Sequence, residues 1–258
     1  MNKLKTGVVL SGGGIKGLVH IGMFKYFEEI NFKPDVIAAC STGSIVAAFY
    51  ACGYSNEDIY KFYTRAKPFA RKYWTGSRGI MKTERYQDLF RKYLGDRKIE
   101  DLDVELKIVA TNLFNGTEKV FTKGSLVEAV LASCSFPGVF QPMKIDGILY
   151  SDGGILNNFP VDVIKNDCDY IIGMHLSPNK LINEENLRNT RDILMRVVAI
   201  QGTFWDHEKL KDCDIGLMPI KLADYSSFSM NEKTYKPLFI LGYDAIEEYS
   251  HALKNLTP

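Results

Sequence analysis

The sequence has few of the features that mark metal-binding or disulfide-stabilised proteins. Its five cysteines lie far apart and none stands in a Cys-x-x-Cys spacing, which argues against a zinc site or a disulfide framework. No cluster of acidic residues indicates a calcium site. We therefore expect no metal or other cofactor, and the cysteines are typical of small buried side chains in a reducing compartment: Cys40, Cys52, Cys134, Cys168 and Cys213.

Long apolar runs are also missing. No stretch approaches the roughly 18 apolar residues that a membrane-spanning helix needs. The apolar run at residues 6–10 is too short for the core of a signal peptide. We expect a cytoplasmic protein, and contact with a membrane surface stays open.

Over the whole chain, basic and acidic residues are nearly equal in number. The 32 basic and 31 acidic residues give a formal net charge of +1, which argues against a nucleic-acid partner. Residues 61–83 are the local exception, with seven basic residues, no acidic one and interleaved aromatics. This composition is typical of a lid or of a segment that contacts an anionic membrane surface. It is also found in segments that bind single-stranded nucleic acid, and in a solvated helix face followed by a connector.

The elements at the start of the chain predict an α/β fold. Residues 6–10 read as a buried strand, a glycine loop follows, and a helix runs to about residue 30. A second strand at residues 35–40 leads into a helix at 45–52. This βαβα order predicts three layers, a central mostly parallel sheet flanked by helices on both faces, in a single domain over residues 1–258.

Further elements follow from periodicity, capping residues and turn signals. Asn-Gly and Asp-Gly pairs predict two hairpins in the middle of the chain. The expected helices are 83–94, 125–133, 187–210 and 231–253, and the expected strands are 104–114, 118–122, 143–145, 148–150, 169–175 and 214–220.

The segment around Ser41 has the outline of a nucleophile elbow. Such an elbow places a serine on a tight strand-to-helix turn, with small flanking residues because strand and helix nearly touch there. Here Gly43 follows the serine at the expected spacing, whereas Ala39 stands where Gly-x-Ser-x-Gly has its first glycine. A Ser-x-Gly after a strand is also typical of a plain helix N-cap, so this segment alone leaves both interpretations open.

The glycine loop after the first strand also has two interpretations. Gly12, Gly14 and Gly17 match the Gly-x-Gly-x-x-Gly of dinucleotide-binding proteins. That fingerprint needs an acid at the end of the second strand, but the nearest acid, Asp35, stands at its beginning. Consecutive glycines at a helix N-terminus can instead direct backbone amides at one point as an oxyanion hole. The ends of neighbouring parallel strands would bring this loop next to Ser41.

A nucleophilic serine needs a base, and the sequence contains only four histidines. His20 lies one turn into a helix and is typical of a packed or capping residue. A Ser-Asp-His order that uses His207 is conceivable, although no turn signal supports it. Asp152 is better placed, because it follows a strand and precedes Gly153-Gly154, and burial can raise the pKa of a carboxylate towards a useful value.

Together these motifs resemble the patatin-like phospholipase family. The shared features are a Gly-Gly-Gly-x-Lys-Gly loop after the first strand, a Ser-x-Gly after the second, and an Asp-Gly-Gly far downstream. The resemblance runs through nearly the whole chain and includes the segments 110–112, 132–133, 136–140, 152–160 and 225–228 and the terminal helix.

The resemblance implies an active site without a catalytic histidine. It places the dyad on Ser41 and Asp152 and the oxyanion loop on Gly13 and Gly14, with Gly12 in support. The implied reaction is hydrolysis of fatty-acyl esters of phospholipids or lysophospholipids through an acyl-serine.

Two further positions follow from the same comparison. Lys16 stands at a position where the family carries Arg or Lys, and the resemblance implies that it binds the substrate. Ala39 departs from the family pattern, which puts the level of activity in doubt. A catalytically weak membrane-binding or regulatory module therefore remains an alternative, as does a dinucleotide-binding oxidoreductase.

Overall fold

A computed structural model describes residues 4–66, 74–75, 80–81, 83–178, 181–203, 206–227 and 231–256. Ten strands are assigned among them: β1 Thr6–Leu10, β2 Val36–Cys40, β3 Trp74–Thr75, β4 Ile80–Met81, β5 Glu105–Asn112, β6 Thr117–Phe121, β7 Met143–Ile145, β8 Ile148–Asp152, β9 Tyr170–Met174 and β10 Ile215–Leu217. The helices are α1 Gly17–Glu29, α2 Thr42–Ala51, α3 Asn56–Lys61, α4 Thr83–Leu94, α5 Leu126–Ser133, α6 Thr190–Thr203, α7 Asp206–Lys209, α8 Tyr235–Glu247 and α9 Ser250–Lys254.

Eight strands form one mixed sheet. The order β10-β9-β1-β2-β5 is parallel throughout, and β6, β7 and β8 join antiparallel beyond it. In the parallel part, Leu10 lies between Ala39 and Met174, so β1 and β2 end side by side as expected. The short strands β3 and β4 form a separate pair.

Residues along β1 and β2 alternate between two cores, which makes the fold a three-layer sandwich. Val8 and Leu10 face the larger core beneath α1, α2 and α5, while Val9 faces a smaller core on the other side of the sheet. Phe159 and Ile164 close that smaller core from the segment after β8. The predicted sheet with both faces covered is therefore confirmed.

Helices α1 and α8, from opposite ends of the chain, pack at unusually short range. A Cβ atom on Gly22 would lie 1.9 Å from the carbonyl oxygen of Phe239, and one on Gly242 would lie 1.9 Å from that of Val19. The two glycines therefore let the helix backbones touch. This contact joins the C-terminal segment to the helix that follows the glycine loop.

Two predicted helices were wrong in extent. The helix expected at 187–210 is α6 followed by the short α7; it begins later because Asn189 accepts a hydrogen bond from the Asp192 amide, as a capping residue does. The helix expected at 231–253 begins at Tyr235, which leaves Pro237 in its first turn, where proline is tolerated, and it is interrupted before α9.

About half of the basic and aromatic segment at residues 61–83, namely 67–73, 76–79 and 82, lies outside the described residues, so its predicted role as a lid stays a prediction. Elsewhere in the described chain, no helix is both long enough and apolar enough to cross a membrane.

Candidate active site

The predicted elbow is present at the junction of β2 and α2. Ser41 has a φ of 50° and a ψ of −124°, a left-handed conformation that a non-glycine residue adopts at a cost. Gly43 allows the close approach of strand and helix, because a Cβ there would lie 2.4 Å from the carbonyl oxygen of Leu10. The methyl group of Ala39 is fully buried in the larger core, and α2 still begins directly after Ser41.

Pairing along β5 brings Asp152 to this elbow. Strand β6 occupies one edge of β5 from Ile108 to Asn112, so β2 and β8 must share the other edge. Strand β2 reaches that edge from one direction and ends with Cys40 opposite Val109. Strand β8 arrives from the opposite direction and ends with Asp152 opposite Ala110. The residue after Cys40 therefore meets Asp152 where the two strands converge.

The side chains of Ser41 and Asp152 form a short hydrogen bond. Ser41 Oγ donates to Asp152 Oδ2 at 2.7 Å. The other oxygen, Oδ1, accepts the Gly154 amide at 2.8 Å and a longer contact of 3.8 Å from the Cys40 thiol. Burial raises the pKa of Asp152 to about 6, although these three hydrogen bonds act in the opposite direction. The carboxyl group thus has a pKa suited to exchange a proton near neutral pH.

Neighbouring polar groups hold the two residues in place. The Ser41 amide donates to Ser133 Oγ at 2.8 Å, and the Ser44 hydroxyl donates to the Ser41 carbonyl at 2.6 Å. On the other side, Thr111 Oγ1 donates to the Asp152 carbonyl at 2.9 Å. These bonds fix the strained elbow and the end of β8 from buried positions.

The glycine loop lies directly over Ser41. A Cβ on Gly12 would be 2.9 Å from the Cβ of Ser41, so only a glycine fits there. The Gly12 amide donates to the backbone and side-chain oxygens of Asn158. It is therefore engaged in holding the loop and is not directed at the serine. Within the described part of the chain, the amides of Gly13 and Gly14 donate to no protein acceptor.

Ser41 and Asp152 line a cavity of about 290 Å³. Lys16 lies in its wall, is 6% exposed, and contacts the Leu176 carbonyl at 3.5 Å through its Nζ. The remaining lining comes from the glycine loop, α6 and the segments after α5, after β8, after β9 and before α8: Gly12, Gly13, Gly14, Cys134, Phe136, Phe140, Gly154, Asn158, Ser177, Pro178, Met195, Arg196, Val198, Ala199, Ala223, Tyr225 and Ser227.

The histidines lie in other surroundings. His20 Nε2 donates to the Ser11 carbonyl, which supports the strand end before the glycine loop, and burial lowers its pKa to about 4. His175 pairs with Asp206, and the ring of His207 packs against that of His175. Among the described residues, no histidine forms a hydrogen bond with the Asp152 side chain.

The dinucleotide-binding interpretation of the glycine loop finds little support in the geometry. Asp35, the nearest acid to the second strand, accepts hydrogen bonds from Thr6 at the opposite edge of the sheet from the glycine loop. It cannot hold a ribose beside that loop. The described residues also contain no group of three or more His, Cys, Asp or Glu side chains arranged to bind a metal.

Comparison with known proteins decides the family. A family model described as patatin-like phospholipase matches residues 8–165, which include the glycine loop, the elbow and Asp152. The chain belongs to the patatin-like phospholipase family.

Curated relatives of this patatin-like chain include fungal lysophospholipases. It is 32% identical over 180 residues to Lysophospholipase nte1 of Aspergillus fumigatus, a match that covers 62% of this chain and 11% of the relative. It is 31% identical over 181 residues to an uncharacterized NTE family protein of Mycobacterium bovis, covering 67% of this chain and 49% of the relative. The chain thus spans between about a tenth and a half of these relatives.

A solved structure shares the patatin-like fold. The structure of VipD from Legionella pneumophila aligns with a TM-score of 0.61 at 15% sequence identity, over 98% of this chain and 67% of that one. Nearly all of the chain therefore takes part in the shared architecture.

Sequence reasoning assigned no role to several residues that shape this patatin-like site. Thr111, Ser133 and Asn158 lie in segments that carried the family resemblance, but no local pattern identifies them as anchors of the dyad and the glycine loop. The cavity wall formed by α6 had no sequence signal at all, since it depends on how that helix packs.

Proposed function

We propose that this chain is a serine acyl hydrolase that cleaves fatty-acyl esters of phospholipids or lysophospholipids with a dyad of Ser41 and Asp152. The observation that carries the proposal is the 2.7 Å hydrogen bond from Ser41 Oγ to Asp152 Oδ2 in the wall of a cavity. Membership of the patatin-like phospholipase family and the names of the lysophospholipase relatives support a lipid ester as the substrate.

The first half of the reaction forms an acyl-serine. Asp152 Oδ2 accepts the proton of Ser41 Oγ while that oxygen attacks the ester carbonyl carbon. The carbonyl oxygen becomes an oxyanion, and the amides of Gly13 and Gly14 are the donors that we assign to it. The carbon–oxygen bond to the alcohol then breaks, and the alcohol leaves with the proton from Asp152.

The second half releases the fatty acid. A water molecule loses a proton to Asp152 and attacks the acyl carbon, which regenerates an oxyanion at the same amides. Collapse of this intermediate breaks the bond to Ser41 Oγ, which recovers its proton from Asp152. The scheme uses no histidine and no metal.

The cavity lining suits an amphipathic ester. Phe136, Phe140 and Met195 offer apolar surface for an acyl chain, while Lys16 and Arg196 add positive charge. A phosphate-bearing headgroup is the natural partner for such charge, because charge-assisted hydrogen bonds to phosphate are strong. We therefore assign Lys16 to the headgroup side of the bound lipid.

Reaction with a fluorophosphonate probe tests the nucleophile. The probe should label wild-type protein at Ser41, as located by peptide mass spectrometry, and should leave the folded Ser41→Ala variant unlabelled. Failure to label the wild type while the protein still binds phospholipid vesicles would favour a catalytically silent membrane-binding module. A rise in melting temperature on addition of a nicotinamide dinucleotide would instead favour the hypothesis of a dinucleotide-binding oxidoreductase.

Turnover on a lipid panel tests the substrate class. We expect release of fatty acid from lysophosphatidylcholine or phosphatidylcholine, with Ser41→Ala as the blank. Activity confined to short, water-soluble esters would contradict a lipid substrate while retaining the nucleophile.

A further inference from the structure

Helix α6 exposes apolar side chains on the face that points away from the protein. Ile193, Leu194, Val197 and Ile200 are 47%, 60%, 52% and 45% exposed. At 100° per residue these four positions form one stripe along the helix. We call them the α6 stripe. Water-facing stripes of surface helices are normally polar, so a stripe of this composition calls for an explanation.

The opposite face of the same helix lines the active-site cavity. Met195, Val198 and Ala199 contribute to the cavity wall, and Met195 lies against the turn at Gly138. The helix therefore lies between the cavity and the surroundings. Whatever contacts the α6 stripe also lies next to the proposed site of ester cleavage.

Two more exposed apolar residues lie near cavity-lining positions in the chain. Leu181 is 98% exposed and follows Pro178 by three residues. Ile220 is 81% exposed and precedes Ala223 by three residues. Apolar exposure thus recurs in three separate segments that also supply the cavity wall.

The size and charge of the α6 stripe decide between candidate partners. Four half-exposed side chains present on the order of a few hundred Å², short of the about 800 Å² per partner that a stable protein interface buries. The other residues on this side of the helix, Thr190 and Gln201, carry no charge. An uncharged apolar stripe of this size suits insertion into the interfacial region of a lipid layer.

We propose that the α6 stripe is the surface by which the protein sits on a lipid layer, with α6 lying between that layer and the cavity. The inference rests on the proposed function, because a lipid substrate is what makes this orientation useful. It places the membrane contact on α6, whereas the sequence pointed to the basic segment at residues 61–83. The contact is apolar and does not require anionic lipid.

Flotation with phosphatidylcholine vesicles tests the surface directly. The experiment uses Ser41→Ala protein, so that hydrolysis cannot alter the vesicles. Adding Ile193→Glu and Val197→Glu together should reduce the partition coefficient roughly tenfold or more, because two charges then replace apolar groups in the contact. The matched control is Ile240→Glu on α8, an isoleucine with 41% exposure outside the cavity lining, which should not change partitioning.

Several outcomes would overturn the proposal. One is equal partitioning of the double variant and its parent at equal melting temperature. A second is binding that needs phosphatidylglycerol, which would assign the contact to basic residues. A third is a wild-type dimer that the two substitutions convert to a monomer in light scattering. Intact vesicle binding without turnover of any ester would refute the proposed reaction and leave the lipid surface standing.

Discussion

Ser41 combines a strained backbone with a strongly hydrogen-bonded side chain. Its left-handed conformation costs on the order of 1–3 kcal/mol, and the hydrogen bonds from its amide to Ser133 and from Ser44 to its carbonyl hold it there. The turn directs Oγ at Asp152 in the cavity wall. Strain at this residue therefore serves to present a hydroxyl group that a relaxed helix N-cap would turn towards its own backbone amides.

Replacing the carboxylate tests which group takes the serine proton. Asp152→Asn keeps the size of the side chain but removes the base, so we expect kcat for a chromogenic acyl ester to fall by about 10²–10⁴-fold. His207→Ala should retain near wild-type turnover, since His207 packs against His175 and not against the dyad. The reverse pattern would restore a histidine-based triad.

The pKa of Asp152 predicts the acid limb of the pH profile. The base must be ionised to accept a proton, so activity is lost as the pH falls through the folded-state pKa of about 6. We expect kcat/KM to level off above that pH and to drop tenfold per pH unit well below it. Steady-state rates from pH 4 to 8 measure the limb.

A histidine base would also titrate in this range, because an ordinary imidazole has a pKa near 6.5. The limb should therefore be measured again in His207→Ala, where it should keep its position. Loss of this pH dependence in His207→Ala, or a midpoint near the ordinary carboxyl pKa of 3.8, would contradict the assignment of Asp152 as the base.

Helices α1 and α8 pack so closely that their backbones touch at two glycines. A β-carbon on Gly242 would lie 1.9 Å from the Val19 carbonyl oxygen, so the helices must separate to accept a methyl group. In an isolated helix, alanine would be favoured over glycine by about 1 kcal/mol. The packed contact reverses this preference.

We therefore expect Gly242→Ala to lower the free energy of unfolding by about 1–3 kcal/mol, the usual cost of overpacking. Chemical denaturation with circular dichroism measures the change. Lys236→Ala, on the exposed side of the same helix, is the control and should have little effect. Stabilisation by Gly242→Ala would show that α1 and α8 do not pack this closely.

At the scale of the whole molecule, both ends of the chain contribute to one core. Strand β1 pairs with β9, and α8 packs on α1, so segments distant in sequence stabilise each other. The cavity likewise draws its wall from the glycine loop, from α6 and from residues 223–227. We propose on this basis that the chain is a single domain.

A single domain should unfold in one cooperative step. We expect the thermal transitions followed by far-ultraviolet circular dichroism and by tryptophan fluorescence to have the same midpoint, within experimental error. Calorimetry that resolves two transitions, one of which leaves fluorophosphonate labelling intact, would argue for separate units.

Much of this fold could be predicted from local patterns. Apolar runs, capping serines and Asn-Gly or Asp-Gly turns act through sterics and hydrogen bonds between residues near in sequence, and they located β1, β2, α5 and both hairpins correctly. Helix ends were less predictable in α6 and α8, where Asn189 and Pro237 set the first turn.

The sequence by itself determined the elbow at Ser41, the glycine loop and Asp152 as candidates, because each follows from its own turn chemistry. Tertiary structure alone decided that β2 and β8 share one edge of β5, which brings Ser41 and Asp152 together. It also decided that the Gly12 amide binds Asn158 and that the α6 stripe faces outward beside the cavity. These outcomes depend on contacts between distant segments, and such contacts exist only once the sheet has formed.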